Sequence, residues 1–465
     1  MSTTRLRRSN SGRLAALAAR LREAQPGWAA LGMDGRLAVL GRLAALLGGP
    51  AGAAVAAALE ADTGRRRIAQ VEVMGVRGMV ARWQREAPAL VAAIESAETA
   101  TAIPSVKAGT KLHPYPLVGV ISPWNFPLTL ALIDAIPALA AGCAVIVKPS
   151  ETAPRFIRPL MAAVAEVPEL AAVFALIEGD GATGAALVDA VDYVAFTGSV
   201  ATGRKVGAAA AAAFIPASLE LGGKDPMIVT ASADPVWAAG VALRASVLAT
   251  GQACQSIERV YVARGIADAF LDELVARAEA VRINWPEIGV GDIGPFIDGR
   301  QGEIVQAQID DAVAKGARVL AGGQIERHGG TWLRPTVIVD VRPDMALMRE
   351  ETFGPVVPVT VFNSIDQAVA MANEGVFGLS AAVLAGTLEE AEAVGVRLHA
   401  GAVSLNDGSL TSMIGEAEKT SFGLSGLGAS RMGASGLLRF FRRQALLRQH
   451  GQAMPLAAWA EDAAT

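Results

Sequence analysis

Apolar positions recurring every three or four residues across 13–97 predict several helices, broken at Gly48-Gly49-Pro50. The spacing changes at 99–113, TATAIPSVKAGTKLH, which is extended and polar with a turn at Gly109. Such a segment between packed regions is a loop or an arm that pairs with another subunit. From residue 117 onward, continuously apolar runs at 117–122, 143–148, 173–177 and 193–197 alternate with helical stretches at 128–140, 154–166, 183–190 and 200–212. Strands that are apolar throughout belong to a parallel sheet covered on both faces. A second alternation starts near Asp225: helix 234–250, strand 257–263, helices 266–282 and 302–315, and strands near 333–340 and 356–362. It continues with helix 364–374, strand 379–384, helix 387–398 and strand 402–406. Two successive α/β domains are the expected architecture. The alanine run 208–213 reads as helix rather than linker.

Composition narrows the function classes. A chain of 465 residues with 52% hydrophobic content builds two or three packed domains. Two cysteines make no disulfide framework, and His113, His328, His399 and His450 have no ligand spacing. No metal is expected, and a reducing, cytoplasmic location fits. A net charge of -4 and a pI of 5.8 speak against nucleic acid as a partner. The most apolar window, 128–147, approaches the length of a membrane span but is interrupted by Asp134 and Pro137 and closed by Lys148. It reads as a helix followed by a buried strand, with no membrane partner. Arg5, Arg7, Arg8 and Arg13 precede the first acid at Glu23, the charge of a transit peptide. No apolar signal core follows, so a solvated cap on the first helix is expected.

Within this frame LATGQACQ, at 248–255, carries the chemistry: a helical run breaks at Gly251 and presents Cys254. A lone cysteine is usually a small buried hydrophobe, and Cys143, inside AGCAVIV, is assigned to the core on that ground. Cys254 differs because polar residues elsewhere suit a nucleophile's needs. Asn125, between Pro123 and Pro127, offers an amide to an oxyanion together with the Cys254 N–H; asparagine in a proline-rich turn is the bland alternative. Glu220, followed by Leu221 and the pair Gly222-Gly223, is a candidate base in an apolar neighbourhood, against a surface salt bridge. GSVATG, at 198–203, opens a helix after a strand and so offers N–H groups to a pyrophosphate, though it is not GxGxxG. Lys148 and Glu151 close the neighbouring strand. A carboxylate there accepts from a free ribose 2′-hydroxyl and repels a 2′-phosphate, which favours NAD over NADP. Glu351 and Phe353 in EETFGPV are candidates to hold a ribose and pack against a flat ring, with a charged loop before a strand as the bland alternative.

These motifs together resemble the aldehyde dehydrogenase superfamily. PWNFP, KPSE, FTGS, ELGGKDP, GQAC, EETFGPV, NEGVFGLSAAV and GAVSLND follow one another between 118 and 407 in the family's order. The resemblance implies a Rossmann-type NAD-binding domain (1–98 and 114–224), an α/β catalytic domain (225–433) and an oligomerisation arm (99–113 and 434–465). It makes Cys254 the nucleophile, Asn125 the oxyanion donor and Glu220 the base that activates water. It also places Trp124, Lys148, Ser150, Glu151, Gly198, Ser199, Gly203, Leu221, Glu351 and Phe353 on the cofactor. The cofactor implied is NAD, with NADP as the alternative, and the substrate is a small aldehyde. A homodimer or homotetramer is implied as well. A water-activating glutamate favours a free carboxylate product over an acyl-coenzyme A. One element departs from the pattern. SFGLSGLGASRMG, at 421–433, keeps Phe422, Gly423 and Arg431 but lacks the proline, a glycine and the lysine of the family's PFGG-x-K-x-SG-x-GR element. That loop borders the substrate entrance in the family, so the choice of aldehyde is left open. A catalytically silent protein of the same fold is the competing reading, disfavoured because Cys254 and Glu220 are both present. An ordinary Rossmann alcohol dehydrogenase fails on the missing GxGxxG and on the absence of a Tyr-Lys or zinc constellation.

Overall fold

The computed structural model describes residues 3–461, with side chains from residue 12 onward. Four helices, Thr3–Ala30, Gly32–Leu46, Pro50–Thr63 and Arg66–Glu95, occupy the region predicted to be helical. Pro50 stands at the first turn of its helix, where no N–H is needed, and Gly64 closes that helix with a left-handed φ of 64°. Leu21, Leu40, Leu59 and Val76 bury their side chains from the four helices into one core. The 128–147 window is the buried helix Pro127–Ala141 followed by the buried strand Ala144–Lys148. Among the described residues no single helix is long and apolar enough to cross a membrane.

Five parallel strands form the first sheet, in the order Ala217–Glu220, Tyr193–Thr197, Leu117–Ile121, Ala144–Lys148, Phe174–Leu176. The strand Ala217–Glu220 is not legible in the sequence, being four residues with no apolar run. A two-residue strand, Gly426–Leu427, adds antiparallel to it, so part of the 225–433 segment returns to the first sheet. Register aligns the carboxyl ends: Ile121 faces Lys148 and Phe196, and Thr197 faces Glu220. PWNFP, KPSE, FTGS and ELGG therefore leave the sheet side by side, on the edge where such sheets bind ligands.

The second sheet has seven strands, parallel except for the edge strand Arg318–Ala321. Strands Asp225–Val229 and Ile257–Ala263 are buried at every position. The helix expected at 234–250 ends at Val247. Leu248 turns extended, and Ala249, Thr250 and Gly251 all take positive φ, so the break comes three residues before Gly251. A third sheet joins Glu98–Ala100, Val106–Pro114 and Phe441–Gln449. Val106 to Pro114 pairs without interruption against Gln449 to Phe441, so the 99–113 segment finds its strand partner within the same chain. Of the expected arm, residues 462–465 lie outside the described residues.

Candidate active site

The three left-handed residues before Cys254 are held from four directions. Arg65 Nη1 donates to the Ala249 carbonyl at 3.2 Å, and Thr250 Oγ1 donates to the Gly294 carbonyl at 2.9 Å. Buried Gln252 accepts from the Ile297 N–H at 3.0 Å and donates to the Pro295 carbonyl at 3.3 Å. At Gly251, φ is 65°, and a Cβ would fall on the Gly354 carbonyl oxygen; only glycine satisfies both conditions. The turn thus packs directly onto the chain just past Phe353. Three residues after Gly251, Cys254 reaches the cavity wall, and its N–H takes no part in the backbone hydrogen bonds of the turn.

Asn125 approaches from the first sheet. It is 3% exposed, and its Nδ2 donates to the Gln252 carbonyl at 3.0 Å, leaving the second N–H of the amide for another acceptor. Arg65 Nη2 donates to the Asn125 carbonyl, so one guanidinium ties the asparagine loop to the cysteine turn. Glu72 accepts from the Leu128 and Thr129 N–H groups at 3.1 and 2.9 Å, fixing the start of the helix that follows Asn125. Burial pushes Glu72 up to about 7 and Arg65 down to about 10. The sequence assigned no chemistry to 13–97. It missed that two buried side chains from this region, Arg65 and Glu72, position the loops of the candidate site. Arg65, Arg66 and Arg67 are consecutive, and only the tertiary fold buries the first of them.

A cavity of about 290 Å³ is lined by Trp124, Asn125, Leu221, Cys254, Glu351 and Phe353, among others. At Pro123, Trp124, Thr197, Gly198 and Ser199 it shares its wall with a groove of about 540 Å³ bordered by Lys148, Ser150, Glu151, Thr202 and Lys205. Ser199 caps the helix Val200–Ala212, accepting from the Thr202 N–H, so that helix begins at the groove. Lys148 Nζ lies 2.8 Å from Glu151 Oε2; the lysine is buried and the glutamate side chain is 59% exposed. Partial burial would raise the Glu151 carboxyl, but the hydrogen bond and charge of Lys148, together with a backbone hydrogen bond, hold the group below its ordinary value. Gly203 lies within the helix, away from both walls, where a Cβ would press on Leu221. A dinucleotide fits this arrangement. The groove offers a carboxylate, a helix start and small residues, and it shares five wall residues with the cavity that Cys254 lines.

Phe353 has a left-handed φ of 56°, unfavourable for a bulky side chain. Buried Glu258 stabilises it by accepting from the Thr352 and Phe353 N–H groups at 2.8 Å each, while Lys224 Nζ binds the same carboxylate at 2.8 Å. The phenyl ring then stands edge-on to Trp124, with centroids 5.5 Å apart. Glu351 Oε1 accepts from the Gly223 N–H at 3.2 Å, and a Cβ on Gly222 would collide with its carboxylate. Burial, then the charge of Glu258, pushes Glu351 up to about 8. Glu258 and Lys224 were not singled out from the sequence, because a charge inside a strand or after a glycine pair looks like any surface charge until its surroundings are known.

Glu220 ends its strand beside Thr197 and Leu221, two residues of the cavity wall, without itself lining that wall. Gly426 pairs with it, so the atypical 421–433 loop passes directly over the candidate base. Arg431 is buried on Thr197 Oγ1 and on Asp134 Oδ2, the latter at 2.7 Å, and its charge reaches both Glu220 and Cys254. Cys254 itself is only partly covered, yet burial around the sulfur pushes the thiol up to about 12, opposed by the charges of Lys419 and Arg431. The resting sulfur is a thiol. Cys143 is fully buried and bonded to the Phe440 carbonyl, as expected of a core residue.

Comparison with known proteins agrees with this geometry. The family model "Aldehyde dehydrogenase family" matches residues 3–446. A putative succinate-semialdehyde dehydrogenase [NADP(+)] from Mycolicibacterium smegmatis is 37% identical over 93% of this chain and 83% of its own length. The structure of the putative aldehyde dehydrogenase PutA from Anabaena variabilis superposes with a TM-score of 0.92 at 47% identity, covering 96% of this chain and 94% of that one. Lactaldehyde dehydrogenase from Escherichia coli superposes at 0.86 with 30% identity over 94% and 91%. The chain belongs to the aldehyde dehydrogenase family, oxidoreductases that act on aldehydes.

Proposed function

We propose that this protein oxidises a small aldehyde to the free carboxylic acid with NAD(P), using Cys254 as nucleophile, Asn125 as oxyanion donor and Glu220 as general base. The observation that carries the reading is the meeting of Cys254 and Asn125 on one cavity that opens into a groove along the carboxyl ends of a parallel sheet. A thiol raised to about 12 gives up its proton as it adds to a carbonyl; Glu220, which like Cys254 acts on the charge of buried Arg431, is the carboxylate assigned to take that proton and pass it to solvent before it acts on water. The tetrahedral oxyanion that forms is held by the unused Asn125 N–H and the Cys254 N–H. When bound, the nicotinamide supplies the hydride acceptor that converts the thiohemiacetal to a thioester. Trp124 and Phe353, which line the cavity, would flank that ring, Glu351 would hold the ribose, and Gly198 with Ser199, at the start of the helix Val200–Ala212, would receive the pyrophosphate. Ser150, Lys148 and Glu151, which border the groove, would hold the adenosine end, while Leu221 lines the cavity and Gly203, behind it, leaves room for the leucine side chain. Glu220 then deprotonates the water that cleaves the thioester.

The same reading divides the chain into a dinucleotide half, 1–98 and 114–224, and a catalytic half, 225–433. The arm, 99–113 with 434–465, joins copies into a homodimer or homotetramer. Exposed Leu447, Leu456 and Trp459 on that arm support assembly. A panel of aldehydes assayed for NADH and NADPH formation, with Cys254→Ala as control, tests the reaction. Turnover that persists in the control, or acyl-coenzyme A as the dominant product, would overturn it.

A further inference from the structure

The second sheet has a gap in the layer that covers one of its faces. Tyr261 and Thr360 stand side by side in register on that face. One hydrophobic core joins Tyr261 to the helix Ile365–Ala372, and another joins Val341 to the short helix Ala346–Arg349. Between them lies a cavity of about 290 Å³, as large as the one that Cys254 lines and sharing no wall residue with it. Val341, Met348, Met371, Val376 and Phe377 give it apolar sides. Three cations line it, Lys224, Arg259 and Arg349, against the single carboxylate of Glu374. Lys224 is paired with Glu258, but Arg259 is not paired with any acid. It is 5% exposed, and its bonds go to the carbonyls of Lys224, Met371, Ala372 and Glu374 and to the Tyr261 hydroxyl, which leaves one Nη2 N–H unclaimed. The end of the helix Ile365–Ala372 offers that guanidinium only about half a negative charge. A buried cation without a full counter-charge is costly. Thr360 Oγ1, next to Tyr261, is also buried without a partner, and exposed Arg349 binds only the Asp344 carbonyl, at 3.1 Å.

We infer that this cavity binds a small carboxylate with a compact apolar body, and that its occupancy weakens dinucleotide binding. The acid group supplies the counter-charge that Arg259 and Arg349 lack, and the apolar body fills the space between the two cores. The route to the nucleotide is short. Lys224 lines the cavity, and its Nζ holds Glu258 at 2.8 Å and Thr352 Oγ1 at 2.7 Å. Glu258 in turn holds the Phe353 N–H in its left-handed turn. A second carboxylate beside that ammonium competes with Glu258 for it and loosens the turn. Two ligands that bias one element in opposite senses weaken each other by the same factor. The site is independent of the proposed reaction; the coupling rests on Phe353 and Glu351 facing the nucleotide.

The test titrates benzoate and benzyl alcohol, alike in shape and different in charge, into the full chain by calorimetry, with and without NAD. The wild type should bind benzoate about 10- to 100-fold more tightly than the alcohol, the range of a charge-assisted hydrogen bond. Val376 is 55% exposed at the rim, so Val376→Trp should plug the cavity and abolish binding of both. Arg349→Gln, a surface change that serves should the tryptophan variant not fold, should weaken benzoate about two- to fivefold and leave the alcohol unchanged. NAD should weaken benzoate about fivefold or more, and benzoate should weaken NAD equally. Absence of benzoate binding in the wild type overturns the site. Binding that neither variant changes overturns it too, because benzoate then sits elsewhere, the Cys254 cavity included. Binding that is lost in Val376→Trp but is indifferent to NAD overturns the coupling. A protein that binds benzoate in this cavity and binds neither NAD nor NADP keeps the site and loses the proposed function.

Discussion

The Asn125 side-chain amide donates to the Gln252 carbonyl at 3.0 Å, two residues before Cys254, so the first sheet grips the turn of the second through one hydrogen bond. One amide N–H is thereby spent on positioning and the other is left for the proposed oxyanion. Asn125→Ala is expected to lower kcat about 10²- to 10³-fold with a smaller change in KM, the usual cost of one oxyanion donor. A loss below tenfold would argue that the amide only shapes the loop.

Gly251 combines a left-handed φ with a backbone contact at Gly354. Gly251→Ala should destabilise the fold by roughly 1–3 kcal/mol, in the range of special-conformation mutants, and should displace Cys254 as well. Thermal melting and the rate of Cys254 alkylation report the two effects separately. Normal values for both would refute the packing argument.

Burial sets the resting state of Cys254, whose thiol is pushed up to about 12. Without nucleotide, iodoacetamide labelling should climb about tenfold per pH unit between pH 7 and 9 with no plateau, because only the thiolate reacts. A plateau below pH 8 would mean that Lys419 and Arg431 prevail over burial. Cys143, fully buried, should stay unlabelled in the native protein.

Glu351 is raised to about 8 by burial and by Glu258. A carboxyl that holds its proton more tightly when folded favours the folded state at low pH, and that advantage is lost as pH rises from its unfolded value toward 8. Glu351→Gln does not titrate. Its melting temperature relative to the wild type should therefore climb across pH 5 to 8.5, while its affinity for NAD(P) weakens. A constant difference across that range would show that Glu351 is not raised.

Glu151 faces solvent beside a buried lysine, at the end of the groove away from Cys254. If its carboxylate discriminates against a 2′-phosphate, Glu151→Gln should raise NADPH formation relative to NADH formation several-fold. An unchanged ratio removes that role.

The sequence alone determined the alternation of strands and helices, the loops that leave the carboxyl ends of the parallel strands, and the choice of Cys254 over Cys143. Those features are local: continuous apolar runs, turn residues and motif order are written in neighbouring positions. The tertiary structure decided the rest. Nothing near Arg65, Glu72, Glu258 or Lys419 distinguishes them from surface charges, since burial of a charge depends on elements up to hundreds of residues away. The same holds for the left-handed turn at 249–251. Its alanine by itself favours helix, and contacts to Arg65 and Gly294, with Gly354 packed close, hold the chain out of it. The sequence could name a candidate nucleophile, but the turn that carries it was fixed by contacts between residues that the chain keeps far apart.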